Sequence, residues 1–287
     1  MLRGVGVKLY VNLGCGRRYN PDWINIDFVS SGPDVIQHDL SKGIPLPDDS
    51  CEVVYHAAVL EHMRREDALT FLRECNRVLK DGGIVRAGVP DLERLCHLYL
   101  IKLQAACDGD KAAAHDYDWI MLELYDQTVR EKSGGGMMDF LRQNSLPNEA
   151  FVYDRIGEEG RQLVNALHNQ GRCGLQTPTI KPEISIRLRR RLFALLGSLN
   201  RRLLWLLLGS EGMRALEIGR FRLSGEVHQW LYDRYSLARL LDAAGFRNPV
   251  VQSAARSQIP DWMSFHLDTL PDGHVVKPDL FFMEATK

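Results

Sequence analysis

The chain has 287 residues, with 36 Lys and Arg against 37 Asp and Glu and a formal net charge of −1 at neutral pH. That balance removes any bulk electrostatic case for nucleic acid or a strongly acidic partner, and the length suffices for one large domain or for a core carrying a sizeable insertion. The six cysteines show no close Cys-x-x-Cys pairing, the N-terminal Met-Leu-Arg-Gly-Val-Gly-Val-Lys lacks a signal-peptide run, and no window is long enough to span a bilayer, so a cytoplasmic protein with reduced thiols is expected.

In chain order, the first expected strand runs from Lys8 to Leu13 and enters Gly14-Cys15-Gly16, and the second, Trp23 to Phe28, contains Asp27. A strand running into Gly-x-Gly lets backbone approach a ligand that any Cβ would push away, and an acid at the end of the neighbouring strand can accept two ribose hydroxyls. The pair predicts a nucleoside-cofactor site. Further strands are expected at Asp34 to His38, Cys51 to His56 and Ile84 to Val89. Six residues between Gly16 and Trp23, and six between Phe28 and Val35, leave no room for full helices. From Arg65 to Lys80, apolar residues at helical spacing predict a crossover helix stopped by Asp81-Gly-Gly.

Late in the chain, Tyr235 to Ala244 reads as a helix with Ser236 as N-cap and Gly245 at its end, followed by strands at Arg247 to Ser253 and Leu280 to Ala285. The rhythm predicts an α/β fold: a seven-stranded, mostly parallel Rossmann-like sheet with shortened first helices and a large helical insertion after strand five. Residues 1–90 and 223–287 form the core in this reading. Residues 91–222 are the insertion, a lid or acceptor-binding region, with loops at Ser133 to Gly136 and Gln170 to Pro182.

Five segments in order, Val11-Asn-Leu-Gly-Cys-Gly16, Ile24-Asn-Ile-Asp27, His38-Asp39-Leu40, Leu60-Glu-His-Met63 and Arg77-Val-Leu-Lys-Asp-Gly-Gly83, make residues 11–90 resemble the class I methyltransferases that use S-adenosylmethionine, in particular the type 11 domain. The resemblance implies that Gly14, Cys15 and Gly16 pass beneath the methionine and ribose, that Asp27 holds the ribose, and that Asp39 meets the adenine amine. Phe28 and Leu40 are expected to cover the adenine ring, with Asn12 reaching the amino group. Arg18 stands where the family often has a third glycine, and Asn12 where an acid is common. A nicotinamide dinucleotide ranks lower, because Tyr19 takes its third glycine position and Asp27 comes early.

Methyl transfer to a hydroxyl calls for alignment of the acceptor and removal of a proton. His56 and Asp91 end strands four and five and are candidate bases; His56 could instead line the cofactor, and Asp91 could cap the next helix. The segment Ser224 to Leu237 also concentrates chemistry: Glu226 and His228 share a face if extended, so that Glu226 could hold the His228 imidazole as the first-choice base, with Trp230 and Tyr232 as substrate contacts. This stretch resembles a bacterial group of type 11 proteins associated with glycan assembly. Glu61 and His62 resemble part of a Glu-x-x-Glu-His metal pattern of some related enzymes, but Ala58 occupies the first Glu position and no metal is expected.

From Lys181 to Arg222 there are ten basic and three acidic residues. Projected as a helix, Arg187, Arg190, Arg191, Arg201 and Arg202 oppose an apolar side that includes Leu192, Leu196 and Leu203. Either residues 184–208 touch the inner face of an anionic membrane peripherally, or the helix packs on the insertion with a solvated basic side. Little aromatic interleaving accompanies the arginines, so no nucleic-acid partner is expected. The expected activity is S-adenosylmethionine-dependent O-methylation of a sugar or glycan intermediate, a lipid-linked one if the basic stretch meets a membrane; the alternatives are a small-molecule or lipid-quinone acceptor, or an inactive cofactor-binding interaction protein.

Overall fold

The structure is a computed structural model, and it describes residues 9–170 and 204–287. The expected loop from Gln170 to Pro182 and the basic stretch up to residue 203 lie essentially outside the described residues. Among the described residues there are seven strands: β1 (Tyr10–Leu13), β2 (Ile24–Asp27), β3 (Val35–Gln37), β4 (Cys51–Ala57), β5 (Leu79–Pro90), β6 (Arg247–Gln252) and β7 (Leu280–Thr286). They form one sheet in the order β3-β2-β1-β4-β5-β7-β6. Only β7 runs antiparallel to its neighbours. The strand order reverses at β1, and the crevice beyond the carboxyl ends of β1, β2 and β4 is where an open sheet of this kind receives a ligand.

The two early connections contain turns and no helix, as their lengths require, and the third contains one 3-10 turn at Leu40–Lys42. After β4 a second 3-10 turn, Leu60–His62, leads into α1 (Arg65–Val78), which buries Ala68, Phe71, Leu72, Cys75 and Val78. The helix ends earlier than expected. Asp81-Gly-Gly does not stop it but lies within the lengthened β5, where the register against β4 shifts between Cys51 and Val53 and a bulge takes up the glycine pair.

The described part of the insertion comprises α2 (Leu92–Cys107), α3 (Lys111–Met121), a π-helical turn (Leu122–Asp126), α4 (Gln127–Val129), α5 (Gly135–Leu141), α6 (Glu149–Gln170) and α7 (204–222). The triple glycine expected as a loop instead turns directly into α5. Trp119, Leu141, Leu146, Val152 and Val164 give the insertion its own core. Inside it, Arg155 is paired with Glu123 at 2.5 Å, both nearly inaccessible. At Gly157 α6 kinks with φ 63°, and a Cβ there would stand 2.4 Å from the Val276 carbonyl oxygen. This close approach presses the insertion against the 276–278 segment that leads into β7.

The chain returns through α8 (Arg234–Ala243). Its cap is Asp233 and not Ser236: Asp233 accepts from the Ser236 amide at 2.7 Å while Ser236 Oγ accepts from the Asp233 amide at 3.0 Å, a reciprocal capping box. One face of the sheet packs on α1 and α8 through Leu13, Val54, Val85, Phe71, Leu72, Leu237 and Leu241. The opposite face is covered by an aromatic layer. Trp23 and Tyr55 meet Trp262 and Phe265 from the 254–270 segment, with the Trp23 and Phe265 rings 5.0 Å apart edge to face.

Candidate cofactor and acceptor site

The β1 to β2 turn is built around Asp27. Its carboxylate accepts from the Gly16 amide at 2.8 Å and from the Val29 amide at 3.0 Å. Gly14 and Gly16 both have positive φ, 66° and 56°. Buried Asn12 ties the far side of the turn by donating to the Arg18 carbonyl at 3.1 Å. Over this turn lies a cavity of about 280 Å³ lined by Asn12, Gly14, Cys15, Gly16, Arg17, Arg18, Tyr55, Ala57, Ala58 and His62. Cys15 is inert here, since burial pushes its thiol up to about 11.

Asp39, at the end of β3, caps the Leu40–Lys42 turn through the Ser41 amide and hydroxyl, and those bonds hold its carboxyl below the usual range. Leu40 packs on the core and lines a neighbouring cavity with His62, Met63 and Phe71. Phe28 is 65% exposed beside Asp27 and so is not a core residue.

A larger cavity of about 790 Å³ opens between the core and the insertion. It shares Arg17, Arg18, Ala58, His62, Glu159, Lys277 and Leu280 with the first, and adds Glu61, Gln127, Arg130, Glu226, His228 and Asp279. Here the 223–233 segment folds back over the Leu60–His62 turn, because the Gln229 and Trp230 amides both donate to the Glu61 carbonyl, at 2.6 and 3.2 Å. His228 faces His62 edge on, with ring centroids 4.8 Å apart.

Several expected roles change. His56 is fully buried on β4 with its ring edge against Phe71, and burial holds it near pKa 3; a ring so enclosed can neither line the cofactor nor reach an acceptor as base. Asp91 takes the capping role, accepting from the Arg94 amide at 2.9 Å. Glu226 does not orient His228. Its carboxylate accepts from the Gly134 amide at 2.8 Å and pairs with Arg130 at 3.4 Å. Burial, with His62, Arg130 and Lys277 adding to it, holds His228 near pKa 3, so it stays neutral but accepts a proton weakly. Trp230 and Tyr232, expected as substrate contacts, lie away from the cleft that holds His228. They line a separate groove, where Arg65 stacks on Trp230 at 4.8 Å.

Sequence reading missed Arg130, Lys277 and Asp279 as cleft residues. None stands in a pattern, and only the folding back of the insertion and of the segment leading into β7 assembles them. Burial pushes the Asp279 carboxyl up to about 6.

Residues 13–87 match the model of a methyltransferase domain. Curated relatives that match the chain are named for S-adenosylmethionine as the methyl donor. The residues present fit that group. A Cβ at Gly16 would meet nothing within 4 Å, so the outer face of the turn is bare backbone. Arg18 Nε is buried on the cavity wall without a partner, a ready donor for a carboxylate. The chain is similar to a probable S-adenosylmethionine-dependent methyltransferase of Mycobacterium tuberculosis, found in two strains, at 40% identity over 58 residues. That match covers 20% of this chain, which spans 20% of the length of these curated relatives. Among solved structures, an S-adenosylmethionine-dependent methyltransferase of Archaeoglobus fulgidus is 11% identical over 98% of this chain and 87% of its own, with a TM-score of 0.37. A possible histamine N-methyltransferase of Thermotoga maritima is 9% identical over 99% and 84%, with a TM-score of 0.36.

Proposed function

We propose that the chain is an S-adenosylmethionine-dependent methyltransferase acting on a hydroxyl oxygen of a sugar or glycan intermediate in glycan assembly, with residues 91–222 as the acceptor-binding lid. The observation that carries this reading is the sharing of Ala58 and His62 by the glycine-turn cavity and the cleft beneath the insertion. When bound, S-adenosylmethionine supplies a sulfonium methyl that a nucleophile can displace in line. Gly14 to Gly16 offer it backbone, Asp27 accepts from the ribose, Asp39 and Leu40 meet the adenine with Phe28 closing over it, and Asn12 and Arg18 hold the amino-acid end. The larger cleft then receives the acceptor. Its walls carry Arg17, Arg18, Arg130, Lys277, Glu159 and Glu226, a lining rich in donors and acceptors that suits a polyhydroxyl or anionic acceptor better than an apolar quinone.

Calorimetry with S-adenosylhomocysteine, followed by labelled methyl incorporation into fractionated glycans, lipids and small molecules, tests the reading. Binding with label in glycans is expected. No binding removes the methyl donor, and binding without incorporation into any fraction favours an inactive interaction protein. Asp27→Ala should weaken S-adenosylhomocysteine by about tenfold or more, since it strips the ribose acceptor and frees the Gly16 amide together. Unchanged affinity would remove Asp27 from the site.

The membrane reading has its own support. No helix among the described residues is long and apolar enough to cross a membrane. Yet α7 exposes Trp205, Leu206 and Leu207, the last two at 74% and 73%. Peripheral contact on the cytoplasmic side predicts that anionic liposomes sediment the protein, and that Trp205→Ser with Leu206→Ser reduces the bound fraction several-fold. Equal sedimentation of both proteins would refute this contact.

A further inference from the structure

Three side chains at the junction of the two cavities remain unexplained by cofactor binding. Glu61, His62 and His228 each offer a ligand atom, and these atoms lie within 4.8 Å of one another. Glu61 comes from the turn after β4 and is 1% exposed, with Oε2 buried and without a partner. Nδ1 of His62 and Nδ1 of His228 are likewise buried and without a partner. Three lone-pair donors have thus been taken out of water with nothing facing them. Each such group destabilises the fold unless something is bound.

The surroundings favour a cation more than the local arginine and lysine suggest. Arg130 is paired with Glu226 at 3.4 Å and Lys277 with Glu159 at 3.7 Å, so each positive charge is partly offset by a carboxylate. His62 hydrogen-bonds the Val227 backbone, the outer support that fixes the tautomer of a ligating imidazole and leaves its other nitrogen free. The backbone of the 223–233 segment is clamped in place, with the His228 amide donating to the Gln127 carbonyl at 2.9 Å.

We propose that Glu61, His62 and His228 form a binding site for a divalent transition-metal cation. Two imidazoles and one carboxylate suit Zn²⁺, Co²⁺, Mn²⁺ or Fe²⁺ better than Mg²⁺ or Ca²⁺, which prefer all-oxygen shells. Metal–ligand bonds of about 2.0–2.2 Å require the three ligand atoms to draw inward by a small side-chain adjustment. Three protein ligands leave coordination positions open toward the cleft. An acceptor hydroxyl there would bind through oxygen and release its proton to solvent. Deprotonation would then need no strong base, which accords with the absence of a well-placed one among the described residues. Glu61 and His62 are adjacent in sequence, whereas His228 reaches them only through the fold, so no local pattern around Ala58 contains the third ligand.

This role for the cation rests on the methyl-transfer reading, but the site itself does not. The test uses the full chain after chelator treatment. Co²⁺ titration should give visible d–d bands at one equivalent, and calorimetry with Zn²⁺ should give the same stoichiometry. Glu61→Gln and His228→Ala should each weaken Co²⁺ binding at least tenfold while circular dichroism keeps the helical signal of the parent. Absence of any cobalt band or zinc heat, or binding that survives in both variants, overturns the proposal. S-adenosylhomocysteine calorimetry on the same samples separates the two readings: cofactor bound without metal sinks only the metal site, and metal bound without cofactor supports the site while removing the methyl donor.

Discussion

Arg86→Ala is expected to destabilise the protein by about 3–5 kcal/mol, the usual consequence of removing one partner from a buried ion pair. Arg86 lies on β5 with no accessible surface, bonded to Asp268 at 2.9 Å, to Glu284 at 2.7 Å and to the Ser253 and Arg256 carbonyls at 2.8 and 3.0 Å. Its guanidinium is also sandwiched between Trp262 and Phe282, at 4.5 and 4.6 Å from the ring centroids. Asp268 accepts a further bond from Tyr55 Oη at 2.6 Å, and Glu284 accepts from the Gln258 amide at 2.7 Å and from the Ser257 hydroxyl. One cation therefore serves two buried carboxylates and fastens the 253–270 segment across the sheet. Its loss leaves both acids unpaired in a dry layer.

The pH dependence gives the sign. Burial already raises the Asp268 carboxyl above its ordinary value despite the arginine. A raised folded-state pKa means stability that is present below the unfolded value of about 4 and is lost as pH rises through the folded one. Without Arg86 that rise must be larger. The variant should therefore lie furthest below the parent at pH 8 and recover part of the difference near pH 5. Thermal melts followed by circular dichroism check both points; a fall of roughly 10 °C at neutral pH is expected, at about 2–4 °C per kcal/mol for a chain of this size. A variant within 2 °C of the parent would mean that the network is not a structural pin.

What the sequence reveals and hides follows from range. The strands, the crossover helix and the glycine turn with Asp27 are legible because each is a local pattern, and the short early connections are legible from chain length alone. His56 is misread because β4 is covered on both faces, and such a strand has no alternation to say which way its last residues point. Asp233 rather than Ser236 caps α8 because both have capping chemistry and only backbone geometry chooses between them. The Arg86 network is invisible for a different reason. Arg86, Asp268 and Glu284 each look like ordinary surface charges, and the first two are 182 positions apart. The same holds for His62 and His228, which meet because the return of the insertion is clamped on the Glu61 carbonyl.

Gly14→Ala should strike the cofactor site itself. A Cβ at this position would lie 2.4 Å from Val59 Cγ2, and φ is 66°, a conformation that costs an L-residue about 1–2 kcal/mol. Valine is stiff at χ1, so its methyl cannot simply swing aside. The turn must then shift, and with it the Gly14 amide, which donates to the Ile26 carbonyl at 2.8 Å, and the neighbouring Gly16 amide held by Asp27. S-adenosylhomocysteine affinity is expected to fall by about tenfold to a hundredfold, equivalent to about 1.4–2.7 kcal/mol. The double variant Gly14→Ala with Val59→Ala divides the effect. Removing the valine methyls relieves the clash but not the left-handed backbone, so part of the lost affinity should return and part should not. Because the two positions touch, their effects should be clearly non-additive in a double-mutant cycle. Full additivity, or a Gly14→Ala single variant that binds like the parent, would show that the turn is not the surface on which the cofactor lies.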